Sequence, residues 1–245
     1  MKIIITKDYQ ELSDKAAEII LDLVKANPSC TLGLATGSSP VGLYKNLIKA
    51  YENGEVSFKD VKSYNLDEYC ELPKEHRESY YSFMHANLFD HIDIKEENTH
   101  LPSSVGSDLE ANCKAYNKLL NSTTVDLQLL GIGANGHIGF NEPGTPFKNQ
   151  TSVIKLTDKT REDNKRFFDG DINQVPKYAI TMGIQNILNA KAILLVANGK
   201  NKAEAIARLV SGEVTEDLPA SALNLHNNVT IIIDEEAASL IDSLK

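Results

Sequence analysis

Four polar side chains crowd one short loop: Asn135, His137, Asn141 and Glu142, in the run LLGIGANGHIGFNEPG over residues 129–144. An imidazole titrates close to neutral pH, so it can both give and take a proton. A carboxylate can act as a base or as an orienting partner, and an amide oxygen can hold an imidazole tautomer. Gly131, Gly133, Gly136 and Gly139 permit positive φ and close backbone approach. Pro143 disfavours the α region at Glu142, which places that carboxylate on extended or turn backbone. A glycine-rich turn with solvated polar groups has the same composition. The position of the loop at the end of a buried apolar run, residues 125–130, favours an active site, because ligands bind at strand ends in open α/β sheets.

Three further stretches carry chemistry. Thr36-Gly37-Ser38-Ser39-Pro40 lies between an apolar strand pattern and a helix pattern. Such a junction can bind phosphate through outward N–H groups and the helix dipole, or it can simply cap the helix with Ser38 or Ser39. It matches neither the Walker A nor the GxGxxG spacing. Asp67-Glu68-Tyr69 closes another strand; adjacent carboxylates there fit a metal site, a catalytic base or a turn, with one pointing into a cleft and the other away. Arg161, Lys165 and Arg166 lie on a helical stretch after the glycine loop, either a lid over a pocket or a solvated surface helix. Lys202 falls in the first turn of a later helix, where a cation opposes the dipole unless it faces an anion. His76, His85, His91 and His100 fit no metal-ligand spacing and read as structural or surface residues.

The elements that position these residues follow from periodicity. Strands are expected at residues 2–6, 31–35, 61–66, 125–131, 192–197 and 229–234, with helices at 8–25, after Pro40 to 51, 79–89, 107–121, 157–168, 200–210 and 235–244. Residues 90–101 read as an irregular connection, and 179–188 as a short strand end with a helix. Regular alternation implies an α/β fold with a mostly parallel sheet covered on both faces. One domain over residues 1–245 is expected, with a lid at about 144–175. Thr36 to Ser39, Asp67, Asn135 to Glu142 and Lys202 all fall at carboxyl ends of strands, and their agreement carries more weight than any one of them.

Composition narrows the class. The 245 residues carry a net charge of −9, with 42% hydrophobic and 24% charged residues. That balance argues against a general nucleic-acid or membrane-surface partner. Cys30, Cys70 and Cys113 form no CxxC pair and fit a reducing, cytoplasmic setting. The first residues are too short for a signal sequence, and no apolar run reaches a membrane span.

The runs LGLATGSSPVGLYK (32–45), SYNLDEYCELPKEHRESYYSFM (63–84), LLGIGANGHIGFNEPGTPF (129–147), KRFFDGDINQVPKYAITMGI (165–184) and GKNKAEAI (199–206) closely resemble the glucosamine-6-phosphate deaminase family. The resemblance implies a three-layer, modified Rossmann-like sandwich. It implies conversion of glucosamine 6-phosphate and water to fructose 6-phosphate and ammonia, in amino-sugar catabolism, with no metal or organic cofactor. By position, Asp67 corresponds to the base that moves a proton between C2 and C1 of the open-chain sugar. His137 corresponds to the acid/base that opens the ring, with Glu142 as its partner carboxylate. Asn135 completes that group where many members carry aspartate; an amide cannot stabilise an imidazolium as an anion does, which puts the pH profile at issue. Thr36, Gly37, Ser38, Ser39, Arg166 and Lys202 correspond to the phosphate site. Ser152 and Ile154 stand near where allosteric members carry basic residues, and the chain stops at Lys245, so a monomer without allosteric activation is expected. The alternatives are 6-phosphogluconolactonase, a related fold, and a sugar-phosphate sensor that has lost the chemistry; the Asp67 motif and the His137/Glu142 pair favour the deaminase.

Overall fold

The structure is a computed structural model and describes residues 1–241. Ten strands are described: β1 (Lys2–Thr6), β2 (Thr31–Leu34), β3 (Lys62–Asn65), β4 (Asp67–Tyr69), β5 (Thr99–His100), β6 (Leu127–Leu130), β7 (Ser152–Lys155), β8 (Tyr178–Thr181), β9 (Ile193–Ala197) and β10 (Val229–Asp234). The helices are α1 (Tyr9–Ala26), α2 (Val41–Glu52), α3 (Tyr80–Asn87), α4 (Leu109–Asn121), α5 (Asp158–Asn164), α6 (Ile184–Leu188), α7 (Ala203–Val210) and α8 (Glu235–Ala238). The expected closing helix continues to residue 244, and its last residues lie outside the described part.

Seven strands form a parallel sheet in the order β1-β10-β9-β6-β2-β3-β5. Every residue of β2, β6 and β9 is buried, as a sheet covered on both faces requires. The covering helices are amphipathic: α1 buries Leu12, Ala16, Ile20 and Val24, and starts on an Asp8 cap that accepts from Glu11 N at 2.9 Å. From β2 the chain moves outward to β3 and β5. From β6, on the other side of β2, it moves through β9 to β10. The direction of winding therefore changes between β2 and β6, and a crevice is expected at their carboxyl ends.

A second sheet, antiparallel β4-β8-β7, was not expected from the sequence. Asp67-Glu68-Tyr69 is its strand β4, where the residue types alone favour a turn. The strand is only three residues long and carries two carboxylates, so no apolar alternation announces it. Its partner β8 supplies the missing signal from far along the chain, pairing Asp67 with Thr181. Strand β7 occupies part of the weakly patterned stretch 144–175, and β5 part of the connection 90–101. Two further boundaries shift. Pro40, not Ser38 or Ser39, stands at the N-cap of α2, with no side-chain cap bond. Lys202 occupies the N-cap of α7 behind a 3-10 turn, Lys200–Lys202.

The main core runs through Leu34, Leu129, Leu195 and Ile232. A satellite core of Tyr69, Phe140, Leu156, Phe168, Val175 and Ala179 holds the stretch after the glycine loop against β4 and β8. Phe140, Leu156, Phe168 and Val175 each contribute roughly 1.5–3 kcal/mol when fully buried. The three cysteines are free and buried; Cys70 and Cys113, far apart in sequence, share a small cluster with Ile180. No helix among the described residues is long and apolar enough to cross a membrane.

Candidate active site

A cavity of about 560 Å³ opens at the switch point between β2 and β6. That size suits a small ligand. Thr36, Gly37, Ser38, Ser39, Asp67, His137, Arg166 and Lys202 all line it. Asn135, Asn141 and Glu142 do not. The first and last stand behind His137, and Asn141 is a buried brace.

The loop after β6 is shaped around the imidazole. A Cβ on Gly133 would fall 2.2 Å from His137 Cε1, so only glycine leaves room for the ring. The loop closes on itself through Gly133 N donating to His137 O at 2.9 Å. Asn141 then stitches it down, donating to Ile138 O at 2.9 Å and Met182 O at 2.8 Å. Gly139 has φ 56°, and a Cβ there would meet Thr181 Oγ1 at 2.8 Å and Asp67 Oδ2 at 3.6 Å. Glycine at 139 thus lets the loop pass directly beside the Asp67 carboxylate.

Behind the ring, the hydrogen bonds fix the imidazole tautomer. Glu142 can only accept when ionised, so the Asn135 amide turns Nδ2 toward it, 2.7 Å from Oε2. Asn135 Oδ1 then faces His137 Nδ1 at 2.7 Å, and that nitrogen must donate. Nε2 is left with its lone pair, free to take a proton. Glu142 is held from its other side by the Thr160 hydroxyl, and its Oε2 lies 3.8 Å from His137 Nδ1. Burial lowers the His137 pKa, Glu142 opposes that shift, and Lys202 adds to it. The ring is therefore neutral at pH 7.

Asp67 and Glu68 separate as alternation along a strand requires. Asp67 lines the cavity, and its pKa is pushed up to about 8 by burial first and by the Glu68 charge second. Glu68 turns away and accepts from three backbone N–H groups: Tyr69 at 2.9 Å, Tyr80 at 2.8 Å and Tyr81 at 2.9 Å.

The opposite end of the cavity is cationic. Burial, and then the Arg166 charge, lower the Lys202 pKa from its usual value. Asp163, also on the cavity wall, opposes that shift. Two neighbouring cations beside a single carboxylate leave a net positive charge that suits an anion. The loop 36–39 adds small side chains and backbone. It is clamped by Tyr9, a residue without any sequence signal: its hydroxyl lies 2.9 Å from Ser38 O and accepts from Gly42 N at 2.9 Å.

The stretch holding Arg166 reaches over the cavity. Asn164 Nδ2 donates to Tyr69 OH at 3.0 Å, and Arg77 Nη2 pairs with Asp169 at 2.5 Å on the far rim. The three cations of this stretch divide their work. Arg161 staples the segment internally through Ile172 O at 2.7 Å and Val175 O at 3.1 Å, Lys165 pairs with Glu162, and Arg166 faces the cavity. Sequence reading also missed Tyr80, Arg77, Thr160 and Asn164. Phenols and amides at helical spacing look the same whether they pack a core or line a cavity. Among the described residues, no group of three or more His, Cys, Asp or Glu could hold a metal ion.

Known proteins share the sequence and the fold. The family described as glucosamine-6-phosphate isomerases/6-phosphogluconolactonase matches residues 7–232. Glucosamine-6-phosphate deaminase of Shouchella clausii is 54% identical over 242 residues, covering 98% of this chain and 97% of that one. Glucosamine-6-phosphate deaminase 1 of Bacillus subtilis is 49% identical over 241 residues, covering 98% and 99%. The solved structure of a monomeric glucosamine-6-phosphate deaminase superposes with a TM-score of 0.96 at 49% identity, covering 98% of this chain and all of that one. A 6-phosphogluconolactonase from Trypanosoma brucei shares the fold, with a TM-score of 0.81 at 20% identity over 97% of each chain. The chain belongs to the glucosamine-6-phosphate isomerase/6-phosphogluconolactonase family.

Proposed function

We propose that the protein is a glucosamine-6-phosphate deaminase, converting glucosamine 6-phosphate and water to fructose 6-phosphate and ammonia. One observation carries the reading. A cavity-facing carboxylate and an imidazole with a free Nε2 share one cavity with the Arg166–Lys202 anion site. Arg166, Lys202 and the loop 36–39 hold the phosphate. His137 Nε2 takes the proton of the C1 hydroxyl and returns it to the ring oxygen, opening the pyranose. Asn135 holds the imidazole and Glu142 balances its transient charge. Asp67 then removes the C2 proton and delivers it to C1. The aminoaldehyde thereby becomes a C2 iminium; water adds at C2 and ammonia leaves. A substrate ammonium beside Asp67 lowers the pKa of that carboxyl and favours the ionised base.

In this reading residues 144–175 are the lid, one part of a single domain, and they exclude water from the carbanion-like step. Residues 152 and 154 lie on β7 and bring no cation to a regulatory site. A monomer without allosteric activation follows, supported by the likeness to a monomeric deaminase. Sigmoidal kinetics relieved by N-acetylglucosamine 6-phosphate would overturn that part.

The test is ammonia release from glucosamine 6-phosphate with fructose 6-phosphate followed in parallel. Both products in equal amounts are expected. Hydrolysis of 6-phosphogluconolactone with no ammonia release would reverse the assignment. Binding without turnover of either compound would point to a sensor.

Two substitutions probe the phosphate end of the cavity and the support behind His137. Lys202→Ala removes a charge-assisted phosphate contact worth about 1.5–3 kcal/mol, so KM is expected to rise roughly 10- to 100-fold with kcat little changed. An unchanged KM takes Lys202 out of the phosphate site. Asn135→Asp places an anion beside His137 Nδ1, which favours the imidazolium. The His137 titration, followed by its ring proton in NMR, should move to higher pH. The acidic limb of activity that depends on neutral His137 should move with it. A titration at the wild-type position would show that Glu142 alone sets the ring.

A further inference from the structure

We propose that Glu68 is a positioning residue for Asp67, acting through the amino terminus of α3 and through its own charge. The inference rests on Asp67 being the base. Its geometry is independent of that reading.

Glu68 is 4% exposed and uses both oxygens: Oε1 accepts from Tyr69 N and Tyr80 N, and Oε2 from Tyr81 N. Ser79 Oγ takes the next donor, Ser82 N, at 3.0 Å. The first N–H groups of α3, which have no partner inside the helix, are thus shared between a carboxylate from β4 and the N-cap serine. The helix dipole favours an anion at this end. Glu68 therefore ties β4 to α3 at the residue beside Asp67.

What it ties there is the wall of the cavity. Tyr80 is the first residue of α3. Its ring packs on Tyr69 at 4.8 Å between centroids and lies within 8° of parallel to Phe140 at 6.0 Å. All three rings line the cavity with Asp67. Releasing the Tyr80 and Tyr81 N–H groups would let this wall shift against the base.

The charge acts on the same neighbour. Asp67 is faced by the phenols of Tyr69 on β4, Tyr80 on α3 and Tyr116 on α4, all pushed upward mainly by burial and neutral at pH 7. Glu68 is faced by the peptide N–H donors and by the Cys70 thiol, pushed up to about 12 mainly by burial. Burial also raises the Glu68 pKa, but its three N–H donors oppose that and favour its ionised form. A proton shared by the pair therefore goes to Asp67, and the pair titrates as a unit.

The experiment compares Glu68→Gln with Glu68→Asp, reading the pH profile of kcat/KM and the carboxyl carbons by 13C NMR. Glu68→Gln removes the charge. The Asp67 titration and the acidic limb should both move to lower pH, giving about a tenfold larger ionised fraction of Asp67 for each unit moved, at a pH well below the titration. Glu68→Asp keeps a carboxyl but withdraws it from the α3 donors that favour its ionised form; kcat should fall and the limb should move in the same direction as in Glu68→Gln. Loss of kcat in both variants with neither limb moved would overturn the proposal and leave Glu68 a structural cap. If Glu68→Gln does not fold, the wild-type titration decides. Asp67 is expected to take its proton at higher pH than Glu68, and the reverse order overturns the proposal. If the wild type releases no ammonia, the deaminase reading fails while the carboxyl titration still reads the coupling.

Discussion

Asp67→Asn is expected to lower kcat by about 10²- to 10⁴-fold, the usual worth of a positioned general base. The amide matches the carboxylate in shape but cannot take the C2 proton. The phosphate end of the cavity is untouched, so fructose 6-phosphate should bind with little change by calorimetry. With ammonia supplied to form the C2 iminium, exchange of a C1 hydrogen of fructose 6-phosphate with deuterated water should vanish with the deamination. A variant keeping more than a tenth of kcat removes Asp67 from the role. The same substitution should raise stability. The Asp67 pKa moves from 3.8 to about 8, so between those values the folded protein holds a proton that the unfolded chain has released. Stability contributed by this site therefore falls as pH rises through that window, and the penalty is complete above about 8. The variant escapes it. Its melting temperature should match the wild type near pH 4 and exceed it at pH 8–9, by roughly 2–4 °C for each kcal/mol relieved. Equal melting temperatures at high pH would show that the carboxylate is not held under strain.

His137→Gln is the second large effect. Glutamine can occupy the cradle beside Gly133 but cannot shuttle a proton, so kcat should fall by about 10²-fold, the low end for acid–base catalysis. The loss should be smaller than for Asp67→Asn, because sugar rings also open unaided in water whereas C2 deprotonation does not proceed at a useful rate. The signature is a split: C1 exchange persists at a rate limited by ring opening, while KM stays within a few-fold of wild type. If exchange disappears as fully as in Asp67→Asn, His137 takes part in the proton transfer at C2 or C1, and the division of labour between the two residues fails.

Much of this site was legible because strand, glycine and helix punctuation is local. The run closing on Gly131 and the loop Thr36 to Ser39 announced themselves through neighbours in sequence. Strand alternation alone placed one of Asp67 and Glu68 in the cleft and the other away. What was not legible depends on partners far along the chain. Strand β4 exists because Thr181 and Ile180 pair with it. The Glu68 bonds to Tyr80 and Tyr81 cross a loop of irregular structure. Tyr9 holds the loop before α2 from the start of α1. Asn141 looked like one more polar group of the site, yet its carbonyl partners make it a brace. Spacing gives the types that can do chemistry; only packing decides which of them faces the cavity.

The Asn135–Gly136 step also sets how this protein ages. An asparagine followed by glycine is prone to succinimide closure. The glycine nitrogen attacks the side-chain carbonyl carbon, ammonia departs, and water reopens the ring to aspartate or isoaspartate. Here Gly136 N is engaged with Gly133 O at 2.9 Å, while the Asn135 amide is held by Glu142 and His137. Those bonds keep nucleophile and carbonyl apart, so the reaction belongs to molecules that have opened this loop. Its aspartate product puts an anion beside His137 Nδ1, and its isoaspartate product lengthens the backbone two residues before that imidazole. Chemical damage at a single amide would thus divide an old preparation into two populations, one with a shifted pH optimum and one with a misplaced histidine.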